Sequence, residues 1–172
     1  MDIRLGSLVR DAKEATVTVL IIDVFRAFTT ASIAFNNGAS HITLVAEIEE
    51  ALALKKKGYG DVLMGEVNGT KPEGFDFGNS PHEISEVDFS GKAIIQSTRA
   101  GTVGAAAATK ADVIYVTSFA IARATVNKVL SEQPDTISII AMGDQGVIRA
   151  DEDEQCGIYL RNLLEGREPD TE

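Results

Sequence analysis

The chain has 172 residues, of which 44% are hydrophobic, and this suits one domain with a sizeable core. Its net charge of −10 argues against nucleic acid as a partner, no apolar run reaches the length of a membrane span, and the start, MDIRLGSLVRDAKEA, lacks the apolar region of a signal peptide. The one cysteine, Cys156, excludes an internal disulfide and is consistent with the cytoplasm.

Short apolar, β-branched runs predict six strands. The first run, TVTVLII, is almost wholly apolar, which is typical of a strand covered on both faces in a parallel sheet. The predicted strands are Thr16–Ile22, Ser40–Ala46, Asp61–Met64, Lys92–Gln96, Asp112–Thr117 and Thr136–Met142.

Helical patterns follow most of these strands. Gly38 is suited to end the first predicted helix. In the second predicted helix glutamates precede lysines, an order that complements the helix dipole. The predicted helices are Arg26–Asn37, Glu47–Lys57, Val103–Lys110, Phe119–Ser131 and Asp151–Leu164. This alternation predicts a three-layer α/β fold with a mostly parallel sheet of about six strands and helices on both faces.

A long Gly- and Pro-rich stretch, GEVNGTKPEGFDFGNSP, occupies residues 65–81. Its composition allows disorder, but long loops are often functional, and Phe75 and Phe77 favour a segment anchored on a core. An extended backbone would point Asp76 away from both rings. Asp76 then either caps a turn near Asn79 and Ser80 or supports a catalytic group.

Polar residues collect where the predicted strands end, and ligands of parallel α/β sheets bind at that edge. Helix caps and helix-start acids are an ordinary explanation for several of them. Glu152 and Asp153 nevertheless share a helix face with buried Cys156. The residues at this edge are Asp23, Arg26, Thr29, Thr30, Glu66, Ser97, Thr98, Arg99, Thr102, Thr117, Ser118, Asp144, Glu152 and Asp153.

Residues 97–102, STRAGT, have the composition of an anion cradle. Hydroxyls, an arginine and a glycine stand immediately before a predicted helix, whose N-terminus carries partial positive charge. Neither a Walker loop nor a GxGxxG fingerprint is present, so nucleotide binding has no support.

Several motifs occur in an order that resembles the 2-phosphosulfolactate phosphatase (ComB) family, over nearly the whole chain. They are IDVFRAFTT at 22–30, GEVNGTKPEGFDFGNSP at 65–81, STRAGT at 97–102, TSF at 117–119 and DEDEQCG at 151–157. The matched positions are Asp23, Arg26, Thr30, Glu66, Gly74, Phe75, Asp76, Gly78, Asn79, Ser80, Pro81, Gly101, Thr102, Ser118, Phe119, Glu152 and Asp153.

The resemblance implies a three-layer α/β fold and a Mg²⁺-dependent phosphatase. Family members convert 2-phosphosulfolactate to sulfolactate and phosphate, a step toward coenzyme M in methanogens. Members also occur in bacteria that do not obviously make coenzyme M, and for these the substrate is open. The family continues well beyond the helix that is predicted to end near Leu164. We therefore expect residues 1–172 to form one domain that is short at the C-terminus relative to the family.

Our sequence-based hypothesis is a Mg²⁺-dependent phosphatase for a small anionic phosphomonoester. The catalytic candidates are Asp23, Arg26, Glu66 and Asp76; Mg²⁺ would be held by Asp23 and Glu66 with Glu152 or Asp153. The substrate-binding candidates are Thr29, Thr30, Asn79, Ser80, Ser97, Thr98, Arg99, Gly101, Thr102 and Ser118.

Three points stay open at this level. Attack by metal-activated water and a covalent route through Asp23 or a hydroxyl are both compatible with these residues. A non-catalytic anion-binding or regulatory domain is the alternative function, while a metal-independent hydrolase lacks a well-placed histidine base. Homodimerisation is the assembly to test.

Overall fold

A computed structural model describes residues 1–167 and contains seven strands and six α-helices in that part of the chain. The strands are β1 (Asp2–Ser7), β2 (Val17–Ile22), β3 (His41–Val45), β4 (Val62–Gly65), β5 (Ala93–Ser97), β6 (Ala111–Thr117) and β7 (Thr136–Ala141). The helices are α1 (Leu8–Glu14), α2 (Ala27–Asn36), α3 (Ile48–Lys56), α4 (Gly101–Ala107), α5 (Ala122–Glu132) and α6 (Asp151–Leu164). A short 3₁₀ turn, Phe119–Ile121, precedes α5.

The strands form two parallel sheets instead of the single sheet predicted. The first sheet has the order β1-β7-β2-β6 and the second has the order β3-β5-β4. All of their pairings are parallel, which confirms the predicted α/β class. The prediction of one sheet with six strands was wrong, because strand spacing along the chain does not specify which strands hydrogen-bond to one another.

The first strand and helix were missed by sequence reasoning. β1 lies at the edge of the first sheet, pairs only with β7, and most of its residues are exposed or half-buried. Asp2 and Arg4 interrupt its apolar pattern, while α1 has only seven residues. Such short, partly polar elements carry little periodic signal.

Apolar side chains cover the first sheet on both faces. Leu20 and Ile22 of β2 pack on one face with residues of α5 and α6. Val19 and Ile21 point to the opposite face, where they pack with residues of α1, α2 and α4. The α6 residues Cys156, Tyr159, Leu160, Leu163 and Leu164 belong to the first of these cores. β2 is thus buried on both sides, as its apolar run predicted.

The second sheet shares helix α2 with the first. Phe28 of α2 packs in the core of the first sheet, whereas Ala34 of the same helix packs with Ile94 of β5. The opposite face of β5 presents Ile95 to Ala51 of α3. One helix therefore bridges the two sheets and brings their carboxyl edges near each other.

The 65–81 segment is anchored by both of its phenylalanines, as predicted, but the rings do not share a face. Phe75 packs in the cluster that contains Leu63 and Ile95. Phe77 packs in the cluster of Met64 and meets the Phe89 ring edge-to-face at 5.5 Å. Because adjacent residues of β4 lie in these two clusters, the rings lie on opposite faces of the second sheet.

Candidate active site

A cleft of about 510 Å³ opens at the carboxyl ends of both sheets. Its walls come from the segments that follow β2, β4, β5 and β7 and from the start of α6. The lining residues are Asp23, Phe25, Arg26, Glu66, Asn68, Gly69, Asn79, Arg99, Ala100, Gly143, Asp144, Gln145, Ala150, Glu152 and Asp153. The structure thus brings together all seven charged residues that sequence reasoning placed at this edge.

Asp23 follows β2 and joins two helix starts. Its Oδ1 accepts a hydrogen bond of 2.9 Å from the Ala27 N–H, and its Oδ2 accepts one of 2.8 Å from the Gly101 N–H. The side chain is buried, with only 5% of the residue surface exposed. Burial, reinforced by the charges of Asp153 and Glu66, raises the pKa of Asp23 to about 7 although both N–H groups act to lower it.

Asp153 makes a similar bridge between two strands. It lies in the first turn of α6 and is 3% exposed. Its two oxygens accept 2.8 Å hydrogen bonds from the N–H groups of Val24, after β2, and Gly143, after β7. Burial, together with the neighbouring Glu152 and Glu154, raises the pKa of Asp153 against the effect of these N–H groups.

Glu66 provides the third bridge, in the second sheet. Its Oε2 accepts a 2.8 Å hydrogen bond from the Gly69 N–H in the adjoining turn, and its Oε1 accepts one of 2.9 Å from the Arg99 N–H after β5. The three acids therefore connect the carboxyl ends of β2, β4, β5 and β7. They are structural acceptors of backbone N–H groups as well as cleft residues.

Other charged cleft side chains have few protein partners. Within residues 1–167, no hydrogen bond or ion pair involves the side chain of Arg26, Asp144 or Glu152, and each lines the cleft. Arg99 approaches Glu47 only at 3.8 Å. Two guanidinium groups are thus available for an anionic ligand, and two carboxylates are available for a cation.

The acids do not form a complete protein cage for a metal. Among the described residues, no group of three or more His, Cys, Asp or Glu side chains is arranged to hold an ion. Mg²⁺, however, commonly takes one or two carboxylates and keeps several waters. The unpaired oxygens of Glu152 and Asp144, beside Asp23 and Asp153, fit that mode of binding.

Asp76 lies outside the cleft, and its hydrogen-bond partners differ from those of both functions considered for it. Its Oδ2 accepts hydrogen bonds from the Leu63 N–H at 2.7 Å and from Lys55 Nζ at 2.9 Å. It therefore neither caps the Asn79–Ser80 turn nor supports a cleft arginine. Burial acts to raise the pKa of Asp76, but the hydrogen bonds from Lys55 and Leu63 outweigh it, and the pKa is lowered.

Of the ten predicted substrate-binding residues, only Asn79 and Arg99 line the cleft. Asn79 is buried, and its Oδ1 has no hydrogen-bond partner. The other eight, which do not line it, are Thr29, Thr30, Ser80, Ser97, Thr98, Gly101, Thr102 and Ser118.

The proposed anion cradle at residues 97–102 is largely occupied by the protein itself. The N–H groups of Arg99 and Gly101 donate to Glu66 and Asp23. Thr98 N–H donates to Thr102 Oγ1 at 2.8 Å, and the Thr102 hydroxyl donates to the Thr98 carbonyl at 2.9 Å. In this structure the segment offers an anion the Arg99 side chain more than its backbone.

Sequence reasoning missed several residues of the cleft wall. Asn68, Gly69 and Gln145 line the cleft, and all three have positive φ angles, of 52°, 76° and 51°. The Asn-Gly pair at 68–69 is a recognisable turn signal, and Val67 and Thr70 close that turn by mutual backbone hydrogen bonds. Gln145 gave no comparable signal.

Comparison with known proteins places this chain in a family. A family model described as 2-phosphosulpholactate phosphatase matches residues 6–172. The chain belongs to the 2-phosphosulfolactate phosphatase family. This confirms the family resemblance that was inferred from the sequence motifs.

Curated relatives match most of the chain. A Bacillus subtilis protein named "Probable 2-phosphosulfolactate phosphatase" is 38% identical over 149 residues, which are 86% of this chain and 64% of the relative. Proteins of the same name from Clostridium novyi and Thermoplasma acidophilum are 33% and 30% identical, over 95% and 98% of this chain. This family member therefore spans between 64% and 74% of the length of these three relatives.

Among residues 1–167, no helix is both long enough and apolar enough to cross a membrane.

Proposed function

We propose that the chain is a phosphatase that hydrolyses a small anionic phosphomonoester with the help of Mg²⁺. The substrate named for its relatives, 2-phosphosulfolactate, is the first candidate. The observation that carries the proposal is the pairing of Arg26 and Arg99 with a set of carboxylates in one cleft. Such a cleft suits a ligand that has more than one acidic group.

The two arginines would bind and orient the substrate. A guanidinium forms paired hydrogen bonds with phosphate or another oxyanion, and both arginines have donors free of strong protein partners. One would bind the phosphoryl group and the other the second acid group. Asn79 adds a neutral polar side chain to the same wall.

The acids would handle protons and the cation. A carboxyl with a pKa of about 7, such as Asp23, is suited to accept a proton from attacking water or to return one to the leaving alcohol. Glu152, whose oxygens have no protein partner among residues 1–167, would hold Mg²⁺ together with at most one of Asp23, Glu66, Asp144 and Asp153, and water would complete the coordination. Bound Mg²⁺ would neutralise charge on the phosphoryl oxygens and lower the pKa of a bound water. A covalent route through Asp23 remains an alternative.

A non-catalytic anion-binding domain is the second candidate. The three bridging acids favour it, because their backbone hydrogen bonds account for those acids without any reaction. This candidate predicts phosphate binding without turnover. The two functions therefore differ in hydrolysis and not in anion affinity.

The proposal is tested by hydrolysis assays on small phospho-acids, including 2-phosphosulfolactate, with Mg²⁺ or with EDTA. We expect turnover that EDTA abolishes and Mg²⁺ restores. Glu152→Gln should require more Mg²⁺ for half-maximal rate, whereas Glu49→Gln, at an exposed site on α3 outside the cleft, should not. Phosphate binding with no turnover of any substrate would favour the second candidate.

A further inference from the structure

One wall of the cleft is the loop of residues 143–150 between β7 and α6. It contributes Gly143, Asp144, Gln145 and Ala150 to the lining. Internal hydrogen bonds shape its turn, with Asp144 N–H donating to the Ile148 carbonyl at 2.8 Å. Val147 and Ile148 at its tip are 67% and 62% exposed. The tip therefore gains little from apolar burial, and polar contacts must hold the loop in place.

Polar contacts at three points connect the loop to other described parts of the protein. At its start, Gly143 N–H donates to Asp153. At its tip, the Gly146 carbonyl accepts a 3.0 Å hydrogen bond from Val9 N–H in α1. At its end, Arg149 binds Glu154 in the first turn of α6. Each contact lies at a different point of the loop, so each restrains a different part of it.

Glu154 is the centre of the third contact. Arg149 donates from Nε to Oε1 at 2.8 Å and from Nη2 to Oε2 at 3.1 Å, a paired geometry. The Ser7 hydroxyl donates to Glu154 Oε1 at 2.6 Å and accepts from Arg149 Nη2 at 3.1 Å. Ser7 is only 6% exposed and ends β1. The loop end is thereby fastened to the first sheet.

The buried hydroxyl gives this contact its strength. The Arg149 side chain is 69% exposed, and an exposed ion pair alone contributes little to stability. A paired arginine–carboxylate contact that also includes a buried hydroxyl is more directional. Its loss would release the loop end without opening either core.

We propose that Glu154 is a positioning residue, which holds the 143–150 loop against Ser7 so that the cleft is preformed for an anionic phosphate ligand. Glu154 does not line the cleft, so it acts through the loop. The inference rests on the proposed function for the identity of the ligand. Its structural part, the restraint on the loop, does not.

The chain contains a closely matched control in Glu132 at the end of α5. Glu132 accepts a 2.6 Å hydrogen bond from the Tyr115 hydroxyl and pairs with Lys128 Nζ at 2.7 Å. It thus has one hydroxyl and one cation as partners, like Glu154, but these partners lie in β6 and α5, neither of which contributes a residue to the cleft lining. The same Glu→Gln change can be made at both sites.

The test measures KM, kcat and the Kd for inorganic phosphate in Glu154→Gln, Glu132→Gln and Ser7→Ala. When a preformed loop must instead be ordered on binding, affinity falls, and we expect KM and phosphate Kd to rise about three- to tenfold in Glu154→Gln and Ser7→Ala. We expect kcat to change less than about twofold. Glu132→Gln should match the wild type in all three.

Charge alone would change the phosphate Kd of Glu154→Gln in the opposite direction. Removing the negative charge of Glu154 should strengthen the binding of an anion if charge alone matters. Tighter phosphate binding in Glu154→Gln, or equal behaviour of Glu154→Gln and Glu132→Gln, would therefore overturn the proposal.

Amide hydrogen exchange tests the restraint without any substrate. Exchange across residues 143–150 should accelerate in Glu154→Gln and Ser7→Ala but not in Glu132→Gln. If the wild type neither hydrolyses phosphomonoesters nor binds phosphate, the proposed function fails, and faster exchange still supports the positioning role. Unchanged exchange in both Glu154→Gln and Ser7→Ala would refute that role.

Discussion

The Gly101 N–H donates a 2.8 Å hydrogen bond to Asp23 Oδ2, which joins the start of α4 to the end of β2. The contact requires glycine, because a Cβ at this position would lie 2.8 Å from that oxygen and 2.9 Å from Phe28 Cζ. We therefore expect Gly101→Ala to displace Asp23, lower the free energy of unfolding by about 1–3 kcal/mol and reduce kcat/KM.

Gly157→Ala is the control for that substitution. Gly157 lies inside α6, and a Cβ there would meet Ile22 Cδ1 at 3.5 Å, an ordinary contact. Because alanine favours helix over glycine by about 0.5–1 kcal/mol, this variant should be as stable as the wild type or slightly more stable. Urea denaturation with kinetics on both variants makes the comparison. Equal stability of the two variants would show that the Asp23 contact tolerates a methyl group.

Asp23 should make stability depend on pH. Its pKa is about 7 in the folded chain, against an ordinary value of 3.8, because it is buried near other acids. The folded state thus retains a proton that the unfolded state loses near pH 4, so the free energy of unfolding should fall as pH rises from about 4 to above 7. The pKa of Asp153 is raised as well, so this residue adds to the same fall in stability with pH.

Chemical denaturation at several pH values, with EDTA present, measures that slope. Asp23→Asn should flatten it, even though the variant is less stable because one amide N–H₂ group faces a backbone donor. Gln155→Ala, at an exposed uncharged site on α6 outside the cleft, should keep the wild-type slope. A wild-type stability that rises between pH 5 and pH 8 would contradict the burial of an ionisable Asp23.

Asp76→Asn should leave catalysis nearly unchanged. The amide oxygen of asparagine can still accept from Leu63 N–H, and the lost ion pair with half-exposed Lys55 is worth at most about 1 kcal/mol. Asp76→Ala should cost more, about 1–3 kcal/mol, since it leaves that N–H without an acceptor. Measuring kcat/KM and thermal midpoint together tests this. A ~10–100-fold loss of activity in folded Asp76→Asn would instead indicate support of a catalytic group.

Arg26→Met should weaken substrate binding. Hydrogen bonds to charged groups contribute about 1.5–3 kcal/mol, so KM should rise roughly 10- to 100-fold. Arg26→Lys keeps the positive charge but loses the planar guanidinium, so its KM should lie between those of the wild type and Arg26→Met. Arg10→Met removes an exposed arginine whose ion pair within residues 1–167 is with Asp11, and it is the control for loss of a positive charge. Equal KM values for Arg26→Met and Arg10→Met would exclude Arg26 from substrate binding.

Elements with strong local patterns were predicted well from the sequence. α6 was predicted with its observed bounds, because its apolar stripe and acidic first turn are local features. The apolar run of β2 correctly indicated burial on both faces. Gly38 has the positive φ of 96° expected of a residue that follows a helix. The edge strand β1 was missed because half-exposed strands need few apolar residues.

The sequence predicted which charged residues form the site better than it predicted their contacts. Asp23, Glu66, Asp144 and Arg99 were placed at one edge because parallel strands all end on the same side of a sheet. Ser97 also ends its strand, but it is buried away from the cleft. Position along a strand therefore indicated the edge and not the direction of each side chain.

The sequence by itself determined the alternation of strands and helices, the parallel α/β class and the acidic edge, since each follows from residue patterns over short distances. Only the tertiary structure decided that the strands divide into two sheets and that α2 bridges them. It also decided that Asp23, Asp153 and Glu66 accept backbone N–H groups, from residues as far away as Val24 for Asp153 and Gly101 for Asp23. Such hydrogen bonds depend on which segments the folded core brings together, and no local pattern in the sequence specifies that.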